Sequence, residues 1–218
     1  MIFLIPPSEG KNMGWKEAKE KLSFSFIKPI DIASKATEKD LKCIWKRYEE
    51  GIELNKNIEK SETLPAIERY SGVMYSGIAY ENMSQEAKKY FEEHFCILSG
   101  MFGILKPQDL ICNYKLPIET KGLYRFWWDT ITQRLNERGV DIIIDLLPNS
   151  YKKMLNWKNL NAKVLQIEFL QNKEGKIKKM THGVKKIKGE YIKNICENWF
   201  TDIPDFWDDK IKTIEIIS

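Results

Sequence analysis

Ser8, Glu9 and Lys11 share one short run, Pro6-Pro7-Ser8-Glu9-Gly10-Lys11, placed directly after an apolar opening from Met1 to Ile5. A hydroxyl, a carboxylate and an amine this close together could bind and orient a polar ligand. Turn-forming residues at the end of a sheet strand are where α/β proteins commonly put one. An ordinary strand-to-loop turn explains the run equally well. A second group, Leu98-Ser99-Gly100-Met101-Phe102-Gly103-Ile104-Leu105-Lys106-Pro107-Gln108-Asp109, carries Ser99, Lys106 and Asp109 in a loop. Its glycines permit close backbone approach or positive φ. With Tyr114 just beyond, the candidate catalytic residues are Ser8, Glu9, Lys11, Ser99, Asp109 and Tyr114. Lys11 or Lys185 could act as a cation or, if desolvated, as a base or Schiff-base former. No spacing among these residues defines a reaction.

The third group is Lys185-Lys186-Ile187-Lys188-Gly189, a basic turn or helix start. It lies in the most basic part of the chain: from Lys173 to Lys193 there are eight lysines against two glutamates, a local balance of +6 in a chain of net charge +4. The remainder is therefore about −2 and closes on Asp202, Asp205, Asp208 and Asp209. A cluster of this density suits phosphates, whose binding releases condensed counterions. It suits a solvated edge strand and helix face as well, because lysine blunts sheet edges.

Other chemistries lack their residues. None of the twelve glycines stands two positions from another, and no G-x-x-x-x-G-K-[ST] is present, so neither glycine fingerprint for nucleotides occurs. No G-x-S-x-G elbow appears. Four cysteines (Cys43, Cys96, Cys112, Cys196) are widely spaced and there are two histidines, His94 and His182. These argue against a disulfide scaffold, a zinc ribbon or an iron site. No metal or cofactor is expected, and the thiols read as reduced and mostly buried.

The elements that must position these groups are legible from periodicity. Met1 to Ile5 reads as a buried strand stopped by Pro6-Pro7. A helix is expected over roughly Glu38 to Ile58, with Thr37 as N-cap, and a strand over Tyr70 to Ser76. Ser84 opens a short helix to about His94, followed by a buried strand, Phe95 to Ser99. Lys106 to Pro117 is a loop, and Gly122 to Arg138 the clearest amphipathic helix, ended by Gly139. Val140 to Leu147 is the best central strand. Leu160 to Leu170 and Lys176 to Thr181 form a hairpin around Asn172 to Gly175. A helix follows Gly183 to about Trp199, and Lys210 to Ile217 returns as an edge strand. The expected class is mixed α/β (α+β): a central mixed sheet flanked by helices, a single domain over residues 1–218 with a basic cleft. At 218 residues and 43 % apolar composition a real core is expected. The longest mostly apolar stretch, Phe95 to Leu105, is too short for a membrane span. With no secretory signal at the start, a soluble, cytoplasmic protein is expected.

Taken in order, the three groups resemble the YaaA family of peroxide stress response proteins. The likeness is strongest from Tyr70 to Glu137. The family's K-G-x-V-Y-x-G-L is matched by Ser71-Gly72-Val73-Met74-Tyr75-Ser76-Gly77-Ile78, and its L-S-G-L-[YF]-G-[VI]-L-[RK]-P-x-D by the Leu98–Asp109 run. Tyr114-Lys115-Leu116 and Leu123-Tyr124-Arg125-Phe126-Trp127 follow its Y-R-L and L-Y-x-F-W. Asp145-Leu146 with Ser150-Tyr151, and Lys185-Lys186-Ile187-Lys188-Gly189, match later motifs. Two frequent family arginines are Lys106 and Lys115 here, which keeps the charge and loses the planar fork.

The resemblance implies a DNA-binding protein of the oxidative stress response, with a basic cleft and a helix–hairpin–helix element. The glycine-x-glycine hairpin of that element is missing from this sequence. Lys11, Lys106, Lys115, Lys185, Lys186 and Lys188 are the expected phosphate-binding residues. The expected partner is duplex or branched DNA bound with low sequence specificity, with no membrane involved. Tyr114, Trp127 or Trp128 could stack on exposed bases, although core packing is the commoner use of tryptophan. The alternative is an enzyme acting on a nucleotide, nucleoside or nucleobase in the same cleft.

Overall fold

The fold is seen in a computed structural model that describes all residues except 15–20, 25, 174–175, 181, 199–210 and 217–218. The acidic close at Asp202–Asp209 and the tip of the expected hairpin lie outside the described residues.

The centre is a mixed sheet built on four parallel strands: β1 (Ile2–Ile5), β3 (Phe95–Ser99), β6 (Ile142–Asp145) and β7 (Lys163–Lys173). With β2 (Thr63–Pro65), β4 (Gly103–Leu105), β5 (Leu110–Cys112), β8 (Lys176–Lys179) and β9 (Ile211–Ile216), the strand order is β4-β3-β1-β6-β7-β8, and β9 also pairs with β7. Strands β4, β8 and β9 run antiparallel to their neighbours, while β2 and β5 form a separate two-stranded ribbon. All four residues of β1 are buried. That is why it reads as an unbroken apolar run, as strands covered on both faces do. Phe3 pairs with Phe95 on one side and Ile144 on the other, and the Phe3 and Phe95 rings stack at 4.5 Å.

The described helices are α1 (Ile30–Ser34), α2 (Glu38–Leu41), α3 (Lys46–Lys56), α4 (Ala66–Arg69), α5 (Val73–Ile78), α6 (Gln85–His94), α7 (Leu123–Glu137), α8 (Asn149–Lys152) and α9 (Val184–Asn198). Ser84 caps α6 by accepting from the Ala87 amide, as its position before the apolar run predicts. On α7, Leu123, Trp127, Ile131 and Leu135 face the core at a spacing of four, so Trp127 is core while Trp128 is 48 % exposed. None of these helices is long and apolar enough to cross a membrane.

Two expectations are corrected. The segment Tyr70–Ser76 is not a strand. Gly72 turns the chain at φ 113°, and α5 follows with Met74, Tyr75 and Ile78 buried, which is a helical rather than an alternating pattern. The expected helix over Glu38–Ile58 is broken. Thr37 does cap α2, in a reciprocal capping box with Asp40. Lys42 then adopts φ 53°, Trp45 φ 52°, and Ile44 and Trp45 are exposed before α3 begins. Left-handed Lys42 ends α2 and Trp45 stands just before α3, breaks that apolar spacing alone does not reveal.

Helices α5 and α9 meet backbone to backbone at two glycines. A Cβ on Gly189 would lie 2.2 Å from the Met74 carbonyl oxygen and 2.8 Å from Gly77, and a Cβ on Gly77 would lie 2.7 Å from the Lys186 carbonyl oxygen. This crossing fixes where the first turn of α9 stands relative to α5.

Candidate functional site

The strand order reverses between β1 and β6, and in open α/β sheets ligands bind beyond the carboxyl ends of strands at such a point. A cavity of about 560 Å³ lies there. Pro6 to Lys11 enter it from the end of β1, Pro148, Ser150 and Tyr151 from the end of β6, and Gly72 to Tyr75 from the start of α5. Tyr114 to Pro117, with Lys42 and Glu119, and Val184, Lys185 and Lys188 from the first turns of α9 complete the lining.

The N-terminal run is held by the chain around Tyr70. The Ser71 amide donates to the Gly10 carbonyl at 3.0 Å, the Asn12 amide donates to the Arg69 carbonyl at 2.9 Å, and Lys11 bridges Tyr70. Arg69 secures this strip. Its fully buried guanidinium donates to the carbonyls of Asn12, Glu62 (2.8 Å) and Ile111 (3.3 Å). Asn55, 2 % exposed, clamps Lys115 by donating to its carbonyl at 2.8 Å and accepting from its amide at 3.0 Å.

Lys11 is half-buried, with Nζ 4.3 Å from the centre of the Tyr114 ring and donating to the Glu9 carbonyl at 3.3 Å. The Glu9 carboxylate instead faces Lys115, at 3.9 Å. Burial, and then the neighbouring charge of Lys115, bring the Lys11 amine down to about 7. Lys188 is lowered to about 8, chiefly by burial, with Asp145 opposing. It donates to the Leu146 carbonyl. Asp145 is itself buried and pairs with Lys152 at 2.6 Å. Lys42 pairs with Glu119 across the rim at 3.1 Å, and Lys185 is exposed.

Tyr114 forms part of the floor. Its hydroxyl lies 2.8 Å from both Ser99 Oγ and the Tyr70 hydroxyl. Ser99 Oγ already accepts the Met101 and Phe102 amides, so its proton is directed at Tyr114. Burial pushes the Tyr114 phenol up to about 12 and raises Tyr75 and Tyr151 as well, so at neutral pH the cavity is walled by protonated phenols.

Ser8, Glu9, Lys11, Tyr114, Lys115, Lys185 and Lys188 thus come together. The other expected residues stand elsewhere. Ser99 is buried behind Tyr114. Asp109, 3 % exposed, accepts from Ser23 and from the Lys106 amide, fixing its own turn. Lys106 donates to the Glu93 carbonyl, away from the cavity lining. Lys186 is exposed, 3.8 Å from Glu190 on its own helix. Lysines 176, 178 and 179 lie on the exposed strand β8, so the dense basic segment is divided between a solvated strand and the cavity. Arg69, Asn55, Lys42, Tyr75 and Tyr151 were not among the expected site residues, although Tyr75 and Tyr151 stand in motifs that carry the resemblance.

The depressed amine gives stability a pH dependence. In the unfolded chain a lysine titrates near ~10.4. Between that value and about 7 the unfolded state binds the extra proton, so this group's penalty is full below pH 7 and fades as pH rises. Lys11→Met is therefore expected to raise Tm more at pH 6 than at pH 9; equal shifts at both pH values would contradict the buried-amine assignment.

Fold and site together define a class: a mixed α/β protein with a lysine- and phenol-lined cavity over the ends of its parallel strands. Within that class, the chain belongs to the family described as peroxide stress protein YaaA, whose family model matches residues 1–213. It is 30 % identical over 233 aligned positions to a UPF0246 protein of Francisella philomiragia, covering 94 % of this chain and 90 % of that one. A UPF0246 protein of Hahella chejuensis is 35 % identical over 164 positions, 66 % of this chain and 64 % of its own length. For UPF0246 protein Mmwyl1_3597 of Marinomonas the identity is 32 % over 181 positions, 78 % and 68 % of the two chains.

Proposed function

We propose that the cavity binds phosphate groups and that the chain uses it to hold DNA, mainly through the backbone, within the peroxide stress response named in the family description. The observation that carries this reading is the convergence of Lys42, Lys115, Lys185 and Lys188, with the partly charged Lys11, on one cavity against Glu9 and Glu119, so the lining stays net positive near pH 7. Lys185 stands exposed in the first turn of α9, where the positive end of the helix dipole adds to its attraction for anions. Burial raises the Cys96 and Cys196 thiols and favours their less reactive protonated form.

Binding of a labelled duplex across a salt series tests the reading. Three to five neutralised phosphates give a log–log slope of about −3 to −5. Affinity that stays level from low to moderate salt overturns it.

The cavity volume favours one second reading, an enzyme acting on a nucleotide-sized molecule, since small-molecule sites occupy about 300–1,000 Å³. A thermal shift by a nucleotide that disappears in Lys11→Ala, while duplex affinity is kept, would select it.

A further inference from the structure

Lys11 differs from the other cavity lysines in what surrounds its amine. Lys42 and Lys115 face glutamates across the rim, Lys188 is tied to the Leu146 carbonyl beside Asp145, and Lys185 is in solvent. Lys11 Nζ lies over an aromatic face inside the cavity, bonded to a main-chain carbonyl, with Lys115 as its largest charged influence and Glu9 opposing it. Desolvation together with an adjacent cation is the arrangement that converts a lysine into a nucleophile.

We propose that Lys11 forms a Schiff base with an aldehyde that carries a phosphate, the surrounding lysines holding the phosphate while the amine takes the carbonyl carbon. The neutral nitrogen adds its lone pair to that carbon, and the carbonyl π pair moves to oxygen. Proton transfer from nitrogen to that oxygen gives a neutral carbinolamine. The nitrogen pair then expels the hydroxyl, which takes one more proton from solvent and leaves as water, so the imine forms protonated. One C–N double bond replaces the C=O bond, one water is released, and nothing is oxidised or reduced. Near pH 7 about half of Lys11 is neutral, against about one in a few thousand for an ordinary lysine.

The proposal rests on the reading of the cavity as a phosphate site, and two sources offer this chemistry: the ring-opened sugar of an abasic site in DNA, and a free phosphorylated aldehyde. The full chain is incubated at pH 7 with sodium cyanoborohydride, which supplies hydride to the imine, and either a duplex containing one abasic site or glyceraldehyde 3-phosphate. Lys11→Met and Lys11→Arg are run alongside, with folding checked by thermal melting. An adduct that maps to Lys11 in the wild type, with total adduct at least about tenfold lower in both variants because each remaining ordinary lysine is almost wholly protonated at pH 7, supports the proposal. The substrate that gives it identifies the source. Adduct equal in wild type and both variants, or spread over exposed lysines, overturns it. Affinity for an intact duplex is measured separately, so loss of DNA binding and loss of amine reactivity are read independently.

Discussion

Arg69→Met is expected to destabilise the protein by about 3 kcal/mol, because it strips three main-chain carbonyls, one of them in a fully buried bond, of their donor. The cause is local and countable. The guanidinium is fully buried and donates to main-chain carbonyls at Asn12, Glu62 and Ile111, three segments far apart in sequence. A methionine occupies similar volume but offers no donor; the buried Ile111 carbonyl left without one costs about 1–3 kcal/mol, and the part-buried Asn12 and Glu62 carbonyls add less. The damage should concentrate where the N-terminal run meets Tyr70, because the Asn12 carbonyl is one of the three. Urea unfolding measures the loss, and hydrogen exchange locates it. A variant within 1 kcal/mol of wild type, on the order of a surface change, would show that water can replace the guanidinium.

Gly189→Ala should cost about 3 kcal/mol, at the upper end for overpacking. The added carbon meets the main chain of α5 at Met74 and Gly77 rather than a side chain that can rotate away. Relief requires α9 to move off α5. Both helices line the cavity, through Val73–Tyr75 and through Lys185 and Lys188, so ligand binding should weaken along with stability. Thermal melting and a duplex titration on the same preparation test both halves. A stable variant with full affinity would contradict the close crossing.

Much of the scaffold can be read along the chain because its signals are local. The apolar run of β1 ends at Pro6-Pro7, Thr37 and Ser84 cap the helices that follow them, and the four-residue spacing of Leu123, Trp127, Ile131 and Leu135 declares α7. Where the reading departs from the structure, the deciding interaction is distant in sequence. Tyr70–Ser76 shows loose alternation, yet the chain turns at Gly72 and continues as α5, whose packing partner, α9, lies more than a hundred residues later. Lysine identity likewise does not say which way an amine goes: Lys106 and Lys115 stand in comparable motifs, and only Lys115 reaches the cavity. Arg69 carries no local mark, because its three carbonyl partners come from three separate segments.

The cavity is therefore a different hollow from the one the motifs suggest. The N-terminal run and the Lys185–Gly189 turn do share it, while the Ser99–Asp109 loop supports it from behind through Ser99 and Tyr114, and Tyr114–Lys115 takes its place in the lining.

The most direct measurement is duplex affinity at ~100 mM salt for a Lys115→Gln, Lys185→Gln double variant set beside Lys106→Gln. With phosphates held in the cavity, the double variant weakens by about tenfold or more while Lys106→Gln binds as wild type does. Equal weakening in both, or none in the double variant, would contradict a phosphate site at the ends of these strands.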